Sequence, residues 1–131
     1  MTVYNPRDMN SAFAEAFNSG DIEKLLSLYE PTAVLVPKPG QVVEGVEAIR
    51  GALEELLALK GTMRSENQYA LVHGDIALLR AKVRLAVTGP DGNSLEIHNH
   101  TAEVIRRQPE GNWLYILDHP YGADPPDVSA A

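Results

Sequence analysis

The chain has 131 residues, the size of one domain, and a chain of this length buries about two thirds of its unfolded surface. It contains no cysteine, which excludes disulfides, thiolate metal sites and cysteine nucleophiles. The net charge of −7 opposes binding to a phosphate backbone, and no apolar run approaches the roughly 18 residues that span a bilayer. The first residues do not resemble a secretory signal. We therefore expect a cytoplasmic protein without a nucleic-acid or membrane partner.

The first 31 residues predict two short helices. Asn5 and Pro6 are typical of a helix start, Gly20 ends the first helix, and Asp21 caps the second. Pro31 is expected to stop the second helix. Apolar residues recur at helical spacing, namely Met9, Ala12, Phe13, Ala16 and Phe17, then Ile22, Leu25, Leu26 and Tyr29.

The next segment predicts a short strand at 33–36, a turn at 37–40 and a brief return strand at 42–43. A third helix follows Gly45. Its apolar residues again lie on one helical face: Ile49, Ala52, Leu53, Leu56 and Leu57.

From Thr62 onward the hydrophobic period changes to two. We predict four strands, at 63–73, 76–88, 94–107 and 113–119. The segments between them are rich in glycine, proline, asparagine and aspartate, which is typical of turns. Tight connections make neighbouring strands antiparallel. The prediction is an α+β fold with three N-terminal helices packed in an antiparallel sheet, one domain over residues 1–131, with residues 123–131 as a flexible tail.

The second long strand indicates which side of the sheet is buried. Its odd-numbered residues are apolar, whereas Arg80, Lys82 and Arg84 alternate with them. Closing the hairpins in their simplest registers predicts three cross-strand rows on the odd-numbered face: Tyr69–Leu79–Glu103, Asn67–Ala81–Thr101 and Ser65–Val83–Asn99. Polar groups on an inner face need partners, so water or a ligand is expected there. A slip of one residue would put them all outside.

Several segments resemble the nuclear-transport-factor-2-like superfamily. They are FAEAFNSGDIEKL at 13–25, LYEPTA at 28–33 and GVEAIR at 45–50. The ending, RRQPEGNW at 106–113 and DHPYG at 118–122, resembles the ketosteroid isomerase-like and SnoaL-like branch. The resemblance extends over residues 6 to 122. It implies a cone of strongly curved sheet around the helices, open at one end and commonly paired into a homodimer through the outer sheet face.

The same resemblance implies positions for catalytic groups. The tyrosine of ketosteroid isomerases that holds the enolate oxygen would fall at Phe13, and their general-base aspartate near Pro37; neither residue keeps the chemistry. Their protonated aspartic acid would fall at Glu103, which does. SnoaL-like cyclases use an aspartate and a histidine on the last strands.

The SnoaL-like pattern has several candidate matches here. Asp118 matches the aspartate, and one of His98, His100 or His119 would supply the histidine.

Glu103 and Asp118 are the predicted catalytic residues. A carboxyl group among apolar side chains has a raised pKa and suits general acid or base chemistry, and two such groups in one cavity separate their pKa values. The alternative for Glu103 is an ion pair at the rim with Arg106 or Arg107. For Asp118 it is a strand-end cap before Pro120.

The substrate-binding prediction names residues of the expected inner wall: Tyr69, Asn99, Thr101, Asn67, Phe13 and Ile116. His98 and His100 are spaced i, i+2 but lack a third ligand, so surface or dimer-interface roles are the alternative. There is no glycine-rich phosphate loop. We therefore expect neither a metal nor a cofactor.

Two functions remain open from the sequence. The first is a cofactor-free acid–base enzyme, an isomerase, cyclase or dehydratase, that acts on a small, largely apolar molecule. The second is a ligand-binding or dimerisation module without chemistry. A purely structural dimer, with a cavity too small for any ligand, is a third possibility.

Overall fold

The computed structural model describes residues 2–125, so residues 126–131 of the expected tail lie outside the described part. A 3-10 turn at Pro6–Asp8 precedes three helices, α1 (Met9–Ser19), α2 (Ile22–Leu26) and α3 (Val46–Leu57). The strands are β1 (Tyr29–Lys38), β2 (Gln41–Glu44), β3 (Thr62–His73), β4 (Ile76–Thr88), β5 (Ser94–His100), β6 (Ala102–Arg107) and β7 (Trp113–His119). This is the α+β fold predicted from the sequence.

The helix boundaries follow from capping. The Asn5 side chain accepts the N–H of Arg7, and Gly20 ends α1 with a φ of 75°, a conformation that glycine adopts without strain. Asp21 accepts the N–H groups of residues 23 and 24 at the start of α2. The predicted start of the second helix at Asp21 is confirmed, whereas Asn5 caps the 3-10 turn and α1 itself begins at Met9 without a side-chain cap.

The expected extent of the second helix is wrong. The helix ends at Leu26, and Tyr29 begins β1 instead of completing the apolar helical stripe. Tyr29 lies opposite Tyr115 of β7, whose backbone N–H donates to the Leu28 carbonyl at 2.8 Å. Pairing with a strand 86 residues away therefore overrides the local helical period.

The strands form one curved, unclosed sheet in the order β2-β1-β7-β6-β4-β3, with β5 also paired to β4. Only the β1–β7 pair among these is parallel. The predicted strand 94–107 is divided at Thr101, which remains tied to β4 because its N–H donates to the Ala81 carbonyl and its hydroxyl accepts the Ala81 N–H.

The odd-numbered face of β4 is the inner one, as predicted: Ala77, Leu79, Ala81 and Leu85 are all buried. The core also includes the apolar faces of α1 and α3. The expected neighbours Leu79–Glu103 and Val83–Asn99 are found.

The predicted pairing of Tyr69 with Leu79 is wrong. The register of β3 shifts between Asn67 and Tyr69, so that Tyr69 lies opposite Arg80. One extra residue in a strand reverses the face of every residue beyond it. Tyr69 is therefore 36% exposed on the outer face, with the Arg80 guanidinium 5.8 Å from its ring centroid.

Two further observations concern the helices and the first residues of the expected tail. Within residues 2–125, every helix is too short or too polar to traverse a lipid bilayer. At the start of the expected tail, the Ala123 N–H donates to the His100 carbonyl, and the Asp124 carboxylate accepts from Asn99.

The packing of Gly61 gives a stability prediction. A Cβ there would lie 2.8 Å from side-chain carbons of Leu85 and Val87 and 2.9 Å from the Ala86 carbonyl oxygen. We expect Gly61→Ala to lower the free energy of unfolding in urea by about 1–3 kcal/mol.

The matched control is Gly51→Ala in the exposed middle of α3, where a Cβ meets nothing within 4 Å. It should raise the free energy of unfolding by about 0.5–1 kcal/mol because alanine favours the helix. Equal stability of the two variants would contradict the prediction.

Candidate active site

A cavity of about 390 Å³ lies between the helices and the inner face of the sheet. Its wall is mostly apolar and includes Phe13, Leu35, Leu53, Met63, Val83 and Leu85. Cavities of about 300–1,000 Å³ with apolar walls and a few polar groups are typical of small-molecule sites.

Glu103 and Asp118 lie on this wall directly opposite each other, on β6 and β7. The antiparallel pair places both side chains on the inner face, where Glu103 is 3% exposed and Asp118 is 5% exposed. Two carboxyl groups therefore share one environment that is largely closed to water.

Glu103 is held through one oxygen. Its Oε1 accepts from Asn10 Nδ2 at 3.0 Å and from the Thr101 hydroxyl at 2.7 Å. Asn10 belongs to α1 and its Oδ1 accepts from the Tyr115 hydroxyl at 2.6 Å. These contacts fix the carboxyl group from α1 and from the residue that separates β5 from β6.

Asp118 is also held through one oxygen. Its Oδ2 accepts from the Tyr29 hydroxyl at 2.5 Å, and the Tyr29 ring packs against that of Tyr115 with centroids 5.1 Å apart. Within the described part of the chain, the other oxygens, Oε2 of Glu103 and Oδ1 of Asp118, have no hydrogen-bond partner. Each carboxyl group thus keeps one oxygen available to a molecule in the cavity.

Burial raises both carboxyl pKa values. Desolvation, followed by repulsion from Asp118, raises the pKa of Glu103 to about 8, against the opposing hydrogen bonds from Thr101 and Asn10. Desolvation raises the pKa of Asp118 to about 6, against the Tyr29 hydrogen bond. The two groups titrate as a pair, because burial and mutual repulsion oppose the ionisation of the second carboxyl group once the first is charged.

The structure brings five of the predicted residues to the cavity: Glu103, Asp118, Phe13, Asn99 and Thr101. Their roles with a ligand stay predictions. Thr101 uses its hydroxyl on Glu103 and Ala81, so it acts on the carboxyl group rather than on a ligand. Asn99 donates to Asp124 at 2.9 Å, which leaves its Oδ1 as the free acceptor.

Three other predicted binding residues do not reach the cavity wall. Tyr69 is on the outer face because of the irregularity in β3. Asn67 lies opposite Ala81 as expected, but beyond the cavity. Ile116 falls at an irregularity of β7, where the register with β6 shifts and its side chain leaves the inner row.

Three polar residues of the site were not predicted. Asn10 was missed although it lies seven residues before Phe17 on the apolar face of α1, and a polar residue in such a stripe is a usable signal. The sequence places Tyr29 in the second helix, and Tyr115 is not among the predicted site residues. Only the tertiary structure shows that the Tyr29 hydroxyl donates to Asp118 and that the Tyr115 hydroxyl donates to Asn10, which in turn donates to Glu103.

Among residues 2–125, none of the histidines lines the cavity. His98 and His100 are opposite Arg84 and Lys82 on the outer face, as predicted, and His119 packs edge-on against Tyr121 at 4.7 Å. No three histidine, aspartate or glutamate side chains within residues 2–125 are grouped in a way that would hold a metal ion.

The family model described as the SnoaL-like domain matches residues 11–116. The chain belongs to the SnoaL-like family. None of the curated proteins compared with this SnoaL-like chain is significantly similar to it. Solved structures resemble it at low sequence identity, and this likeness concerns the fold.

One is a candidate dehydratase of the nuclear-transport-factor-2-like family from Streptomyces avermitilis, with 23% identity and a TM-score of 0.73, covering 85% of this chain and 88% of that one. A ketosteroid isomerase-like protein from Erwinia carotovora atroseptica has 20% identity, a TM-score of 0.69 and coverage of 87% and 90%. A protein from Novosphingobium aromaticivorans with a cystatin-like fold has 19% identity, a TM-score of 0.72 and coverage of 95% and 82%. The predicted superfamily and branch are confirmed.

The carboxyl pair predicts how stability depends on pH. The folded SnoaL-like chain keeps protons that the unfolded chain loses, because both pKa values are raised from their ordinary 3.8 and 4.5. The contribution of the pair to the free energy of unfolding should therefore fall as pH rises from about 4 to about 8. Urea titrations across this range measure the slope.

Glu103→Gln should flatten the slope in the upper part of this range, since the amide does not titrate. Glu66→Gln removes an exposed carboxylate from β3 and serves as the control that keeps the slope. An unchanged slope in Glu103→Gln would show that Glu103 does not titrate in this window.

Proposed function

We propose that this protein is a cofactor-free acid–base enzyme, an isomerase, cyclase or dehydratase, whose substrate is a small, largely apolar molecule. The observation that carries the proposal is the pair Glu103 and Asp118, buried opposite each other on the wall of an apolar cavity. Carboxyl groups with raised pKa values in a cleft are typical of general acid–base sites.

The two groups suit opposite roles. Asp118, with a pKa of about 6, is mainly ionised at neutral pH and is the base, which removes a proton from the substrate through Oδ1. Glu103, with a pKa of about 8, is mainly protonated and donates a proton from Oε2. One proton leaves the substrate and one reaches it, so the reaction needs no electron carrier.

The cavity wall favours an apolar substrate body. Phe13 and the aliphatic side chains of α3 and β4 offer no charge, so the carboxyl pair and the Asn99 carbonyl oxygen would orient the polar end of the substrate. No cofactor enters this proposal. We also propose a cytoplasmic location, which a composition without cysteine permits.

A second candidate function is a non-catalytic ligand-binding module. It is favoured by Phe13 and Pro37, which line the cavity where the resemblance to ketosteroid isomerases puts a tyrosine and an aspartate. In this case the carboxyl pair would only bind the polar end of a ligand.

Exchange of α-hydrogens tests the proposal. We expect the protein to accelerate exchange of at least one ketone in a panel of monocyclic and bicyclic ketones in D₂O, followed by proton NMR. Asp118→Asn and Glu103→Gln should each reduce the acceleration by about 100-fold or more, whereas Glu66→Gln should retain it.

Acceleration that survives both cavity variants would show that the assignment of the acid and the base is wrong. If no ketone exchanges faster and mass spectrometry recovers a co-purifying molecule unchanged, the binding module is supported instead.

We further propose that two copies of the chain pair through the outer sheet face. A cross-strand row of apolar side chains runs over four strands there, formed by Leu71, Leu78, Val104 and Leu117. Leu71 is 59% exposed and Leu117 40%. A contiguous apolar row of this kind favours burial against a second surface, and the row on a second copy is a matching one.

Light scattering coupled to size exclusion tests the dimer. We expect the wild type to have the mass of two chains, and Leu78→Glu or Leu117→Glu to have the mass of one, because a charge in the buried row is desolvated. Tyr4→Glu, at an exposed position before α1, is the control that should remain dimeric. A monomeric wild type at all concentrations would contradict the proposal.

A further inference from the structure

Asn10 links Tyr115 to Glu103 through two buried hydrogen bonds. It is 5% exposed on α1, and its amide lies between the Tyr115 hydroxyl and Oε1 of Glu103. An amide has one accepting end and one donating end. The orientation of the Asn10 amide therefore decides whether Oε1 of Glu103 faces a hydrogen-bond donor or an acceptor.

Tyr115 fixes that orientation. Its hydroxyl lies 2.6 Å from Asn10 Oδ1, whereas its other possible acceptor, the Met9 carbonyl, is 3.4 Å away. The hydroxyl proton therefore goes to Asn10 Oδ1, and Nδ2 is left to donate to Glu103. Thr101 supplies a second donor to the same oxygen: its hydroxyl donates to Oε1 at 2.7 Å, while its own oxygen accepts the Ala81 N–H.

An oxygen that accepts two hydrogen bonds is a poor place for a proton. If the Glu103 proton were on Oε1, it would face the Asn10 N–H and the Thr101 O–H, both of which are donors. Oε2 has no such neighbour among the described residues. We propose that Asn10 is a positioning residue, which makes Oε1 the carbonyl oxygen of neutral Glu103 and so fixes its proton on Oε2, the oxygen available to the cavity.

This inference rests on the proposed function only for its consequence, which is that Glu103 presents a donor to the substrate. The placement of the proton itself is a property of the free protein. It can therefore be measured without a substrate, and its failure is distinguishable from the failure of the proposed acid–base reaction.

Infrared spectroscopy tests the placement. The C=O stretch of neutral Glu103, identified by subtracting the spectrum of Glu103→Gln at a pH of about 6, should lie at the low wavenumber of a carbonyl that accepts two hydrogen bonds. Asn10→Leu removes one donor and should shift this band to higher wavenumber. It should also raise the pKa of Glu103 by about one, since a bond that favours the charged form is lost.

Asn18→Leu is the matched control. Asn18 lies on the same helix and its amide also makes two hydrogen bonds, both to the backbone of Met63, so its loss perturbs α1 without touching Glu103. It should leave the band and the titration of Glu103 unchanged. Should Asn10→Leu fail to fold, Asn10→Ala removes the same donor and gives the same readout.

A band that stays in place when Asn10 is replaced would overturn the proposal, because Oε1 would then not be the carbonyl oxygen. In ketone exchange, the proposal further predicts that Asn10→Leu lowers kcat with little change in KM and moves the alkaline limb of the pH profile upward. A purely structural role of Asn10 would not shift the alkaline limb of the pH profile.

Discussion

The antiparallel pairing of β6 with β7 is the constraint on which the rest of the site depends. It places Glu103 and Asp118 opposite each other on the inner face of the sheet, where helices and strands exclude water. Two carboxyl groups in such surroundings do not both ionise at neutral pH, because desolvation and mutual repulsion oppose the second charge. The chemistry that we propose follows from this one geometric fact.

Hydrogen bonds from surrounding residues offset part of the free-energy cost of burying the two carboxyl groups. Burying a carboxyl group without partners is costly, and here each of the two is hydrogen-bonded through one oxygen by side chains from other elements. Tyr29 comes from β1 and Asn10 from α1, so the site is assembled from both halves of the chain. Among residues 2–125, the remaining oxygens have no hydrogen-bond partner. In each carboxyl group, one oxygen is therefore held by the protein and the other is left for the proposed chemistry.

Membership of the SnoaL-like family explains the fold but not the side chains that surround the two carboxyl groups. The family model and the similar structures account for the fold, a curved sheet packed against helices. At identities near 20% they say nothing about which side chains perform chemistry. In this chain the wall carries Phe13 and Pro37, and the acid–base groups lie on the last two strands. The function must therefore be argued from the carboxyl pair itself.

The sequence alone determined the fold class, the capping roles of Asn5 and Asp21, the inner face of β4 and the placement of Glu103 on that face. These features depend on local signals, namely capping residues, turn composition and hydrophobic period, which act over a few residues. A short turn also fixes which residues of two neighbouring strands lie opposite each other, which is why the Leu79–Glu103 pair was predictable.

Only the tertiary structure decided the rest. The irregularity before Tyr69 turned that residue outward, and the pairing of β1 with β7 took Tyr29 out of its expected helix. The contact of Asn10 with Glu103 joins residues 93 positions apart. No local pattern encodes such contacts, because they depend on how complete elements pack and on where a strand gains one extra residue.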